Sequence, residues 1–128
     1  MDSEQKKKIL IVEDEPALRN VLIDKFSNEG FEVIQARDGE EALKTALAEH
    51  PDLILLDILL PVMDGMTMLT HLREDVWGKD VHVMLLSNLN TIGTVAKAVE
   101  LGSYEYLVKS DWKLEDIVHK VRSVLGMA

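Results

Sequence analysis

The feature that most constrains this chain is an alternation of short apolar runs with stretches of helical periodicity. Ile9-Leu10-Ile11-Val12 stops at the acidic cluster Glu13-Asp14-Glu15. Phe31 to Ala36, Leu53 to Leu56, Val81 to Leu86 and Tyr104 to Val108 are four further runs, each short and rich in branched or aromatic residues. The first, an uninterrupted apolar run, reads as a strand buried on both faces, and the others read as strands as well. Five such strands, each followed by a helical stretch, predict a parallel sheet with helices on both faces, joined by right-handed crossovers.

The intervening stretches carry helix start and stop signals. Pro16 suits a first helical turn, Leu18, Val21, Leu22 and Phe26 follow at helical spacing, and Gly30 is a natural stop. Asp38 with Glu41 three residues on resembles a capping box, ahead of Ala42, Leu43, Ala46 and Leu47 on one face. Asp64-Gly65 makes a turn that opens a third helix bearing Met66, Leu69 and Leu72, and the polar stretch Arg73 to Asp80 reads as the loop after it. Ile92, Val95, Ala96 and Val99 predict a fourth helix stopped by Gly102, although Thr91, Gly93 and Thr94 are poor helix formers. Leu114, Ile117, Val118, Val121 and Leu125 form the clearest stripe, with Gly126 as its stop and Trp112 at its start.

Composition narrows the function classes. The 128 residues suit one domain, with no second domain expected. The absence of cysteine excludes disulfides, thiolate zinc sites, iron–sulfur clusters and cysteine nucleophiles. A net charge of −9 sets most of the surface against nucleic acid and anionic membrane, so neither is an expected partner. No apolar run approaches the roughly 18–20 residues of a membrane span, and the polar start, Met1 to Lys8, is no signal peptide. A cytoplasmic protein is the expectation. His50, His71, His82 and His119 show no ligand spacing, and the six methionines read as core fillers.

The chemistry gathers at the strand ends. In an open α/β sheet the ligand crevice lies at the carboxyl edge. The first strand delivers Glu13 and Asp14 there, the third Asp57, the fourth Ser87-Asn88 and the fifth Lys109. Strand ends that merely meet water are also polar, but these types are complementary. Three neighbouring carboxylates repel one another, and a hard divalent cation such as Mg²⁺ relieves that. No histidine or cysteine lies at these ends, which argues against zinc. With Mg²⁺ bound, Asp57 is a candidate carboxylate nucleophile toward a phosphoryl group, giving an aspartyl phosphate. Lys109 would neutralise phosphoryl oxygens and Ser87 would donate to one. An aspartate-nucleophile phosphatase of the haloacid dehalogenase type needs a second acid two residues after the nucleophile, where this chain has Leu59. A flavin or nucleotide binder would want a glycine-rich loop after the first strand, where Glu13-Asp14-Glu15-Pro16 stands instead.

The stretches Ile9 to Pro16, Asp57 to Gly65, Ser87 and Tyr106-Leu107-Val108-Lys109, in this order, resemble the receiver (REC) domain of two-component response regulators, CheY-like. The resemblance implies a flavodoxin-like, doubly wound (βα)5 fold of strand order 2-1-3-4-5. The receiver domain would be residues 9–126, after a lead-in at 1–8 and before a tail at 127–128. It also implies that Asp57 is the phosphoacceptor, with Lys109 and Ser87 completing the catalytic set. Asp14, Asp57 and the backbone carbonyl of Leu59 would bind Mg²⁺, with Glu13 acting directly or through water. Ser87 and Tyr106 would be the switch pair, altering a partner surface of the fourth helix, fifth strand and fifth helix. Expected partners are a sensor histidine kinase or histidine phosphotransfer protein and a downstream protein target, with the chain a monomer or a weak phosphorylation-dependent dimer. It would be a switch rather than an enzyme, catalysing only its own phosphorylation and dephosphorylation. The family usually has proline after the lysine and a small residue after the switch hydroxyl; here these are Ser110 and Asn88. The usual methionine before the family proline is Leu60.

Overall fold

A computed structural model describes residues 6–87, 92–103, 105–108 and 113–127, with backbone only at 87, 92–94 and 106. Along the chain run β1 (Lys8–Val12), α1 (Pro16–Asn28), β2 (Glu32–Ala36), α2 (Gly39–Glu49), β3 (Leu53–Leu56), α3 (Gly65–Arg73), β4 (His82–Ser87), α4 (Ile92–Glu100), β5 (Glu105–Val108) and α5 (Leu114–Val124). The strands form one sheet, all pairs parallel, in the order β2-β1-β3-β4-β5. The first and third strands therefore sit side by side at the centre, with Val12 in register with Leu56.

Alternation along each strand feeds two cores. Leu10, Val12, Ile54, Leu56, Val83 and Leu85 face one side, where they meet Ala42 and Ala46 of α2, Met68, Leu69 and Leu72 of α3, and Ala98 of α4. Ile9, Ile11, Leu53, Leu55, Met84 and Leu86 face the other, against Leu22 and Phe26 of α1 and Ile117, Val118 and Val121 of α5. Burial on both faces is the reason Ile9–Val12 and Leu53–Leu56 are continuously apolar, whereas the edge strand β2 exposes Glu32 and Gln35.

Boundaries and faces differ from the sequence reading in several places. Lys8 belongs to β1 rather than to a solvated lead-in: its N–H donates to Asp52 Oδ2 (2.7 Å) and its ammonium pairs with Glu49 (3.3 Å). Phe31 and Val81 fall one residue before β2 and β4, and Tyr104 lies outside the described residues. Val21 and Leu47, expected on buried stripes, are 48% and 39% exposed. Among the described side chains of α4 the buried one is Ala98, whereas Ala96 is exposed and Val99 is 46% exposed. The larger apolar residues of α4 gather on one side, but it is the small Ala98 that joins Val83 and Leu85 in the core. Asp38 caps α2 as expected, accepting from Glu41 N–H (2.8 Å), but the Glu41 carboxylate reaches the Arg37 N–H (2.7 Å) rather than that of Asp38, so the box closes one residue early.

Arg73 is not part of a polar loop. It ends α3 half-buried, donating to the carbonyls of Leu101 (2.6 Å), Gly78 (2.7 Å) and Val81 (2.8 Å). Ser103, buried, donates to Val83 O (2.7 Å). These contacts fix the carboxyl end of α4 to the sheet. Burial pushes the Arg73 pKa down from its ordinary value, and Asp80 opposes this. Trp112 lies outside the described residues, and α5 begins at Leu114.

Candidate phosphoryl and metal site

The parallel register builds the site one residue past the strands. The Glu13 N–H donates to Ala36 O and the Asp57 N–H to Val12 O, each at 3.1 Å, so the ladder carries both carboxylates to the carboxyl edge. One carboxylate oxygen each from Glu13, Asp14 and Asp57 lie within 4.8 Å of one another. Glu13 and Asp57 are buried and Asp14 is exposed. Glu13 Oε2 accepts the Glu15 N–H (3.1 Å) and Asp57 Oδ1 the Leu59 N–H (3.3 Å), and both residues make further contacts within the fold.

Two like charges at this spacing repel by about 3–4 kcal/mol per pair at an effective dielectric near 20. An oxygen-only donor set, mostly buried and open on the Asp14 side, fits a hard divalent ion that keeps part of its water shell. The sequence expectation that Glu13, Asp14 and Asp57 meet is therefore met by the geometry. Leu59 follows, 58% exposed, and its hydrocarbon side chain offers no acid where a phosphatase of the dehalogenase type would need one. Ser87 ends β4, its backbone in register with Val108, and Tyr106 lies in β5 opposite Leu85. The side chains of Ser87 and Tyr106 lie outside the description, as do Lys109, Asn88, Leu89 and Ser110.

Two glycines hold the loop between β3 and α3. A Cβ on Gly65 would lie 2.2 Å from Asp57 O, and one on Gly39 would lie 1.9 Å from Met63 O. The start of α3 thus presses on the Asp57 backbone, and the start of α2 presses on the loop beside it. Each glycine follows a capping aspartate, and Asp64 Oδ1 accepts the Thr67 N–H at 2.8 Å. The repeated Asp-Gly pair was the available signal for Gly39, which the sequence reading left unassigned. Between these clamps Val62 adopts φ 67°, with Met63 N–H donating to Pro61 O (2.7 Å). A β-branched residue there is strained, and such strain gathers at functional loops.

Residues 9–122 match the response regulator receiver domain family. The chain is 37% identical over 121 residues to the probable transcriptional regulator ycf27 of Porphyridium aerugineum, covering 94% of this chain and 49% of that protein. It spans about half the length of the curated relatives it matches. Among solved structures it superposes on the chemotaxis protein CheY4 of Vibrio cholerae with a TM-score of 0.87 at 26% identity, covering 94% of this chain and 99% of that one. It also matches a chain from the CheX–CheY–BeF3–Mg²⁺ complex of Borrelia burgdorferi, at TM-score 0.83 and 31% identity over 92% of this chain and 88% of that one. With its strand order and its converging carboxylates, the chain belongs to the response regulator receiver domain family, the phosphorylation-dependent switches of two-component signalling.

Proposed function

We propose that Asp57 is the phosphoacceptor of this switch and that Mg²⁺ assists the transfer. The observation that carries this is the meeting of Glu13, Asp14 and Asp57 at the carboxyl edge of the sheet. The similarity to the receiver chain of the CheX–CheY–BeF3–Mg²⁺ complex supports it. Glu13, Asp14, Asp57 and the Leu59 carbonyl would hold the ion, which when bound would neutralise charge on the phosphoryl oxygens. An Asp57 oxygen attacks phosphorus in line, the bond to the donor breaks, and the donor leaves as a neutral histidine or a carboxylate. The Glu15 and Leu59 N–H groups fix the Glu13 and Asp57 carboxylates so that the attacking oxygen is preoriented. Lys109 and Ser87 would complete charge neutralisation.

Phosphorylation would then shift a pre-existing equilibrium through Ser87 and Tyr106 toward a changed surface on α4, β5 and α5. The partners that follow are a sensor histidine kinase or histidine phosphotransfer protein upstream and a protein target downstream. The acidic surface argues against nucleic acid as the ligand of this stretch, and among the described residues no helix is long and apolar enough to cross a membrane. A cytoplasmic site of action and a receiver unit over residues 9–126 belong to the same proposal.

The test is incubation with Mg²⁺ and acetyl phosphate, followed by intact mass and site mapping. The expected result is a single phosphoryl group on Asp57 that chelation prevents. Equal phosphorylation of Asp57→Asn, or insensitivity to chelation, overturns the assignment.

A further inference from the structure

Arg19 lies in the second turn of α1, beside the carboxylate cluster, and sequence reasoning gave it no role. Its Nη1 donates to the carbonyl of Glu13 (3.0 Å) and reaches that of Asp14 (3.5 Å). Its Nε is buried and has no hydrogen-bond partner among the described residues. A long side chain on a helix surface is free to extend into water and satisfy every donor. This one instead loses hydration at Nε with no bond in return, which costs stability. The compensating contacts fall on the backbone of two of the three clustered carboxylates.

We infer that Arg19 is a positioning residue for the cation site: it holds the Glu13–Asp14 backbone so that both carboxylates converge with Asp57. The two peptide groups flanking the Glu13 Cα are then both held, since the Glu13 N–H donates to Ala36 O (3.1 Å) while the Glu13 carbonyl accepts from Arg19 (3.0 Å). The Glu13 carboxylate in turn accepts the Glu15 N–H (3.1 Å), which extends the order through the turn into α1. Asp14 is exposed, so its aim depends on how its backbone is held. Loss of a group that orients metal ligands typically costs about 10–100-fold in metal affinity.

This inference rests on the Mg²⁺-assisted reading above, and the sign of the effect separates positioning from electrostatics. A positive charge next to a cation site weakens binding, so an Arg19 that acted only by its charge would bind Mg²⁺ more tightly once removed. A positioning Arg19 gives the opposite result. Mg²⁺ is titrated calorimetrically into the unaltered chain, Arg19→Ala and Arg19→Lys. Amide exchange at Asp14 and Glu15 is followed in parallel in metal-free buffer. The expected result is about 10-fold weaker Mg²⁺ binding in Arg19→Ala, an intermediate loss in Arg19→Lys, and faster exchange at Asp14 and Glu15 with β3 unchanged. If the unaltered chain binds Mg²⁺ and Arg19→Ala binds it equally or more tightly, the positioning role is refuted. If Arg19→Ala does not fold, the same criterion applies to Arg19→Lys. Absence of Mg²⁺ binding by the unaltered chain overturns the functional reading itself, whatever exchange shows at Arg19.

Discussion

Replacing Gly65 by alanine should damage stability and phosphoryl acceptance together. The added Cβ would lie 2.2 Å from the Asp57 carbonyl oxygen and 2.9 Å from Ile58 Cα, both backbone atoms. Neither can swing aside. Reaching an ordinary 3.4 Å contact with the carbonyl oxygen requires an opening of 3.4 − 2.2 = 1.2 Å. That displacement lifts the start of α3 off the end of β3 and stretches the Gly65 N–H bond to Ile58 O, now 2.8 Å. Overpacking of this sort costs about 1–3 kcal/mol, and a strained hydrogen bond adds about 1. The better helix propensity of alanine returns at most about 1 kcal/mol. The net loss is about 1–3 kcal/mol, or a fall in Tm of about 4–11 °C for a domain of this size. The clash falls on the peptide of the proposed phosphoacceptor, so the acetyl phosphate reaction should slow as well. Gly30→Ala is the control: a Cβ there meets nothing within 4 Å, and only its φ of +96° is unfavourable to alanine. It should lose about 1–2 kcal/mol with an unchanged phosphorylation rate. Urea unfolding and timed intact-mass measurements on both variants decide the matter. A Gly65→Ala protein as stable as its parent, or a Gly30→Ala protein slowed equally, refutes the reasoning.

The Arg122 guanidinium first, and the Lys25 ammonium second, hold the Glu29 carboxyl below its ordinary value of 4.5. A depressed carboxyl contributes stability above its unfolded pKa and loses it as pH falls through the folded value. The stability gap between the unaltered chain and Glu29→Gln should therefore be constant near neutrality and close below pH 4.5. A gap independent of pH in denaturant titrations would contradict this. Asp14→Asn should weaken Mg²⁺ binding more than Glu13→Gln, read by calorimetry, because Asp14 is expected to ligate directly and Glu13 directly or through water. By the family resemblance the residues two after the phosphoacceptor and two after Ser87 border the approach of an attacking water; here they are Leu59 and Leu89, neither of which hydrogen-bonds a water, so the aspartyl phosphate should be long-lived for this family. Leu59→Asn and Leu89→Gln should each speed its decay in Mg²⁺ buffer, and a parent that decays as fast as both counters the idea.

The sequence by itself determined the architecture and the acidic half of the site. Continuous runs such as Leu53–Leu56 make sense only between two helical layers, and a strand that ends abruptly at a carboxylate marks the sheet edge where polar groups meet. Asp57 and Glu13-Asp14 were legible for that reason, although more than forty residues separate them. Tertiary structure decided what depends on rotation about a helix axis or on a long side chain's destination. Whether α4 turns Ala98 or Val99 inward is a rotation of about 100°, and the apolar pattern of α4 favours Val99 whereas packing against the sheet selects Ala98. The roles of Arg19 and Arg73 carry no sequence signal, because an arginine can extend into water or fold back equally well from the same position. Only the assembled fold brings the carbonyls of Glu13 and Asp14, and of Gly78, Val81 and Leu101, within reach of those guanidinium groups. Backbone acceptors carry no residue signature, so what they bind is settled by where the chain passes.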